Sequence, residues 1–163
     1  KQTFMQFLKY LMLIIGIFCN NNLCAQNQCL DQSFGNAGIS SHNFGTDSIF
    51  PKSIGIQTDG NIVIAGSIND GSGSDFLLLC YLSNGNIDSS FGTLGIVRTD
   101  FAIGTTDKAV RLIIQTDGKL LVGGNTENNG IKQLALIRYN SDGLIDNSFG
   151  TNGKMTLGSN LTF

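Results

Sequence analysis

Tryptophan is absent from this 163-residue chain, and proline, histidine and glutamate each occur once. Charged residues make up 13% of the chain, about half the share usual in a globular protein. Eleven of the twelve acids are aspartates, so strong helix formers are scarce and a helical bundle or coiled coil is excluded. Ten Lys and Arg against twelve acids give a net charge of −2. That leaves no basic excess to meet phosphates, and nucleic acid is excluded as a partner. The single histidine, His42, stands without the convergent groups that a zinc or catalytic site needs and reads as a surface residue. The longest apolar run, Tyr10 to Phe18, falls short of the roughly 20 residues that span a bilayer. No nucleophile elbow, phosphate-binding glycine loop or paired-carboxylate signature is present. The expectation is therefore no catalytic residue, no cofactor and no metal.

What the chain does have is 41% hydrophobic residues and 21 glycines, with Asn, Ser and Thr in plenty. That mixture excludes disorder and points to strands joined by tight turns.

The apolar run follows Lys9 and ends in Cys19-Asn20-Asn21-Asn22, which is a signal-peptide pattern. Leu23-Cys24-Ala25 offers small residues for a peptidase, so residues 1–25 are expected to be removed by cleavage between Ala25 and Gln26. Met5 makes the better start of such a segment. Phe18 and Leu23, which precede Cys19 and Cys24, argue against a lipoprotein. The protein is thus expected to be secreted or held at the outer cell surface, touching membrane only transiently through the signal peptide. Cys29 and Cys80 remain in the mature chain, enough for one disulfide in an oxidising compartment.

The strongest signal is an internal repeat. Leu30-Asp31-Gln32-Ser33-Phe34-Gly35 returns as Ile87-Asp88-Ser89-Ser90-Phe91-Gly92 and as Ile145-Asp146-Asn147-Ser148-Phe149-Gly150, at offsets of 57 and 58 residues. A further glycine follows each copy: Gly38, Gly95 and Gly153. Ile56-Gln57-Thr58-Asp59-Gly60 returns as Ile114-Gln115-Thr116-Asp117-Gly118. The repeats run over about 30–86 and 87–144, with a partial third at 145–163.

In the second repeat, Gly95–Phe101, Ala109–Gln115, Lys119–Gly123 and Leu134–Tyr139 read as four strands. The pairs Asp59-Gly60 and Asp117-Gly118 read as two-residue hairpin turns. Asn84-Gly85 and Asp142-Gly143 read as further turns. The strands Ile62–Ala65, Phe76–Leu79, Leu120–Val122 and Leu134–Ile137 are apolar without alternation, so both faces must be covered. Stacked propeller blades cover strands in this way. The expected fold is all-β: four-stranded antiparallel blades of about 58 residues, forming an incomplete β-propeller over 26–163, with a β-sandwich as the alternative. Two repeats and a fraction cannot close a ring, which predicts a fragment of a longer protein.

These residues resemble the delta-60 repeat family, a set of predicted β-propeller repeats of secreted bacterial proteins common in the Bacteroidetes. Its pattern runs Leu-Asp-x-Ser-Phe-Gly-x-x-Gly, then Ile-Gln-x-Asp-Gly-Lys, then Arg-Tyr-x-x-Asp-Gly. The second repeat carries nearly all of it, including Asp117-Gly118-Lys119 and Arg138-Tyr139; the first has Asn61 for the Lys and Cys80 for the Arg. The resemblance covers residues 30–163 and implies fold and export, with no activity or catalytic residues to carry over.

Each polar candidate is weighed against a structural role. Asp31, Asp88 and Asp146 read as corner residues that accept backbone N–H groups two or three residues on, supported by Ser33, Ser90 and Ser148. Phe34, Phe91 and Phe149 anchor the corner, and Gly35, Gly92 and Gly150 supply positive φ. Asp70–Leu77 resembles a calcium-binding β-roll nonapeptide, but such sites need tandem copies and only one is present. It reads as a flexible loop. Cys80 reads as a small buried hydrophobe, with a Cys29–Cys80 bridge as the lesser reading. Arg98 and Arg111 lie outside the family pattern, and Arg138 reads as a paired arginine. Glu127 stands alone in a loop. The expected function is a non-catalytic binding, adhesion or scaffolding module for a protein or glycan ligand. The alternatives are a propeller enzyme, such as a polysaccharide lyase or hydrolase, and a purely structural segment.

Overall fold

The computed structural model describes residues 30–158. The signal segment with its Ala25–Gln26 cleavage point, Cys29, and the end of the partial third repeat lie outside those residues. All regular structure among the described residues is β: β1 (Ser48–Ile56), β2 (Ile62–Asn69), β3 (Ser74–Tyr81), β4 (Ile96–Thr99), β5 (Thr106–Ile114), β6 (Leu120–Asn128), β7 (Ile131–Tyr139) and β8 (Lys154–Leu157).

These eight strands form one open sheet. Antiparallel ladders run β1–β2–β3–β4 and again β5–β6–β7–β8. A single parallel bridge, Ser74 to Thr106, joins the two runs. Both first strands carry a bulge at the same point of the repeat, between Pro51 and Ser53 and between Ala109 and Arg111. The only proline of the chain, Pro51, sits beside the bulge on β1, a position at which a missing N–H is tolerated.

The strand after each corner does not pair within its own sequence repeat. Ile96–Thr99 follows the second corner and lies antiparallel to β3, with Phe76 opposite Thr99 and Leu79 opposite Ile96. Lys154–Leu157 lies on β7 in the same way. The spatial unit is therefore shifted by one strand from the sequence unit.

The Asp-Gly turns are longer than the two-residue hairpin read from sequence. Gln57 and Asn61 close the first, with Gln57 N–H on Asn61 O at 2.8 Å, and Gln115 and Lys119 close the second at 2.8 Å. Three residues stand between, and of these only Gly60 (φ 88°) and Gly118 (φ 83°) take positive φ. Asp59 and Asp117 instead cap the turns, each accepting the N–H two residues on at 3.0 and 3.1 Å.

The main core lies between the two runs: Val63, Ala65, Phe76, Leu78 and Cys80 face Ala109, Leu112, Leu120, Val122, Ala135, Ile137 and Tyr139. Each fully buried large side chain there contributes about 1.5–3 kcal/mol. Polar links cross the same junction: the Ala109 N–H donates to Ser67 Oγ at 3.1 Å, and Tyr139 OH donates to Thr99 Oγ1 at 2.8 Å. A second cluster, Ile68, Leu77, Leu79 and Tyr81, covers the other face of the first run with help from Phe44 and Ile49. β3 is consequently buried at every position, whereas β6 alternates and only every second residue at the end of β7 is buried.

Candidate functional site

The three corners share one geometry. Asp31 Oδ1 accepts the Ser33 N–H at 2.9 Å and the Ser33 hydroxyl at 2.6 Å. Asp88 does the same with Ser90 at 3.0 and 2.6 Å, and Asp146 with Ser148 at 3.1 and 2.7 Å. The Ser33 hydroxyl, ahead of the Ser33 N–H, holds the Asp31 carboxyl below its ordinary range. Each corner then passes three left-handed residues: Gly35, Ala37 and Gly38; Gly92, Leu94 and Gly95; Gly150, Asn152 and Gly153. Leu94, with φ 54°, is the one large side chain in that strained region.

Each of the first two phenylalanines docks on the turn that closes its own sequence repeat. Phe34 lies against Gly85 and Phe91 against Gly143. A Cβ on Gly143 would fall 2.8 Å from Phe91 Cζ, so the close approach requires glycine. The Gly35 and Gly92 N–H groups donate to Asn84 O at 2.7 Å and Asp142 O at 2.8 Å of the same turns. Phe91 is 1% exposed, while Phe34 and Phe149 are half-buried.

The second oxygen of each corner aspartate exposes the difference between repeats. Asp146 Oδ2 accepts Lys119 Nζ at 2.9 Å and Arg138 Nε at 2.7 Å. Three charged signature positions of the repeat, distant in sequence, thus meet at one carboxylate. The Ser148 hydroxyl, then Lys119 and further hydrogen bonds hold the Asp146 carboxyl well below the usual carboxylate range. Arg138 also spreads over the Phe149 ring, 4.9 Å from its centroid.

In the first repeat the counterparts are Asn61, with Nδ2 3.3 Å from Asp88 Oδ2, and Cys80, with Sγ at 3.9 Å. Both sequence departures therefore face the same atom. Cys80 is buried and, among the described residues, has no disulfide. Burial, then Asp88 and Asp59, push its thiol up to about 12. Cys80 packs within the main core as a small apolar group.

The remaining candidates scatter. His42 is exposed, its ring 4.7 Å from that of Phe44. Arg111 on β5 is exposed. Arg98 on β4 reaches the β2–β3 loop, with Nη2 on Asp70 at 2.7 Å and Nε on Asp75. Asp70 also caps Ser72, by N–H and hydroxyl, so the nonapeptide-like loop spends its leading carboxylate on itself and on Arg98. Glu127 lies 3.7 Å from Lys132 across β6 and β7.

One cleft has the make-up of a binding site. It holds about 400 Å³ and opens between the two first strands, β1 and β5, lined by Phe50, Lys52, Asn69, Lys108 and Asn125 among others. Two lysines and two asparagines line it beside Phe50, which is 51% exposed. The isolated sequence positions gave no sign of this set. In the repeat register Lys108 stands at the position of Phe50, and Lys52 at that of Val110, so the two lysines lie at or beside the bulges of the two first strands.

Two stretches of the chain, residues 57–91 and 115–149, match the model of a family described as a domain of unknown function (DUF5122) beta-propeller. Each stretch runs from the glutamine of the Asp-Gly turn to the phenylalanine of the corner, and so spans both ends of the carboxylate node. The match fits a propeller-repeat family. No curated protein and no solved structure matches the chain.

Proposed function

We propose that this chain is a blade-forming part of an exported, non-catalytic β-propeller of the delta-60 type, and that it binds an acidic glycan in the cleft between β1 and β5. The cleft carries this reading. Lys52 and Lys108 offer cationic donors, Asn69 and Asn125 offer amides for hydroxyls, and exposed Phe50 offers a ring face for a sugar. That combination of an apolar surface and a few convergent polar groups suits a small-molecule or oligosaccharide site.

The signature residues support a non-catalytic role, because their polar atoms are already spent inside the fold. The Asp-x-Ser corners bond to themselves, and Lys119 and Arg138 both donate to Asp146. The four-stranded ladders support blades, and the signal-like residues 1–25 support export.

The reading is tested on an array of acidic and neutral polysaccharides. The expected result is retention on acidic glycans that is weakened in Lys52→Gln and Lys108→Gln and unaffected by Arg111→Gln, with no release of reducing ends or unsaturated uronates. Turnover of a polysaccharide overturns the non-catalytic part, and equal retention by all three variants overturns the cleft.

A further inference from the structure

Three aspartates from three different segments meet at the junction between the two runs of strands. Asp75 starts β3, Asp100 follows β4, and Asp107 lies near the start of β5. One carboxylate oxygen from each falls within 4.8 Å of the other two. Asp107 is 0% exposed and Asp75 9%. Like charges this close are mutually unfavourable out of water, and buried carboxylates are tolerated when they are paired or bind a metal.

Pairing does not cover the set. The cation beside it, Arg98, is taken by Asp75 and Asp70. Asp100 Oδ1 accepts the Ala102 N–H at 3.0 Å and the Thr105 hydroxyl at 3.2 Å. Lys154 Nζ meets the carbonyl oxygen of Asp100, not its carboxylate. Asp107 Oδ2 accepts the Phe101 N–H at 2.7 Å, while its Oδ1 is buried without a hydrogen bond of ordinary geometry. Thr126, opposite Asp107 in the β5–β6 ladder, has a buried Oγ1 in the same condition, and its hydroxyl and that of Thr105 are the neutral groups nearest the Asp107 carboxylate.

The position is also a departure from the repeat. Asp107 and Thr126 stand where the first repeat has Ile49 and Ile68, which pair with each other across β1 and β2 and belong to its apolar cluster. Asp75 stands where the second repeat has Gln133. An apolar pair has become an acid–hydroxyl pair at one junction only, and the acid is fully enclosed. Nothing in the fold of the first repeat requires that change.

We infer that Asp75, Asp100 and Asp107 form a Ca²⁺ site that fastens the β4–β5 crossover to the start of β3. An all-oxygen donor set of carboxylates suits a hard cation. The orphaned Oδ1 of Asp107 is the donor that the protein itself leaves unsatisfied. This site shares Asp75 with the β-roll-like stretch of the β2–β3 loop, but its other two carboxylates come from outside it, Asp100 after β4 and Asp107 in β5.

The test is calorimetric titration of the full chain with CaCl₂ after chelator treatment, alongside thermal melts with and without Ca²⁺. The expected result is one ion per chain at the affinity of extracellular calcium modules, roughly 10⁻⁴ to 10⁻³ M, with a rise in Tm that chelator reverses. Asp107→Asn keeps the shape of the side chain and is expected to weaken binding by at least about tenfold. Asp100→Asn, on an exposed residue, is expected to weaken it independently of any folding defect. Asp142→Asn, outside the cluster, is expected to bind as the parent does. Absence of heat and of a Tm shift at millimolar Ca²⁺ overturns the site, and so does binding that survives in both Asp100→Asn and Asp107→Asn.

Discussion

The two repeats share a backbone and differ in what holds it. In both, the residue five places before the turn glycine, Gly85 or Gly143, serves the same two main-chain bonds. Cys80 donates its N–H to Gly95 O at 3.0 Å and accepts from Asp88 at 2.9 Å, and Arg138 does the same with Gly153 and Asp146 at 3.0 and 2.9 Å. The side chains on that frame diverge: a buried thiol and an amide around Asp88, two cations around Asp146. Geometry that the main chain already fixes tolerates either solution. The charge is therefore an addition to the corner and not its cause.

The largest test of that comparison is Phe91→Ala. Phe91 is enclosed between the runs, and its loss is expected to cost about 3–5 kcal/mol, read as a fall in the urea midpoint. Phe149→Ala, on a half-buried ring, is expected to cost less than half as much. Equal losses would mean that the corner itself, and not the junction, holds the ring's energy.

Acid comes next. The carboxyl of Asp146 is held below its ordinary value, so the folded chain takes up that proton less readily than the unfolded one. Its stabilisation is full above the ordinary carboxylate range, about pH 4, and is withdrawn as pH falls toward the folded value. Asp146→Asn is expected to flatten the acid limb of a Tm-against-pH curve. A limb of unchanged steepness in the variant removes the ion triad as its source.

Two smaller changes push the repeats toward each other. Leu94→Asn gives the second corner the residue that the third has at Asn152, and is expected to add about 1 kcal/mol by relieving a left-handed leucine. A midpoint that does not rise would place the strain elsewhere. Asn61→Lys brings to Asp88 the cation that Asp146 has, and is expected to add about 0.5 kcal/mol. High salt should erase that gain, and a salt-independent gain would point to packing of the lysine stem instead.

Much of this was legible in the residues. Turn glycines and apolar runs located the strands, because those signals are local. The strand after the corner was assigned to its own repeat, since sequence order says nothing about which edge a strand meets. Lys119, Arg138 and Asp146 lie 8 to 27 residues apart, and only the ladder brings them to one point. The acid cluster had a readable trace that single-site inspection passes over: Asp107 occupies a position where the other repeat has Ile49. A repeat supplies its own reference, and an aspartate in an isoleucine's place is visible in it.

The shifted strand has a consequence for how such a chain can grow. Because Ile96–Thr99 completes the ladder that precedes it, every copied segment donates its leading edge backward and leaves its own trailing edge to be closed by whatever follows. Duplication of a sequence unit thus adds a stitch and not a bead. Neighbouring units cannot come apart without one of them losing a strand, and an inserted copy with a broken corner would disrupt the unit before it as well as its own.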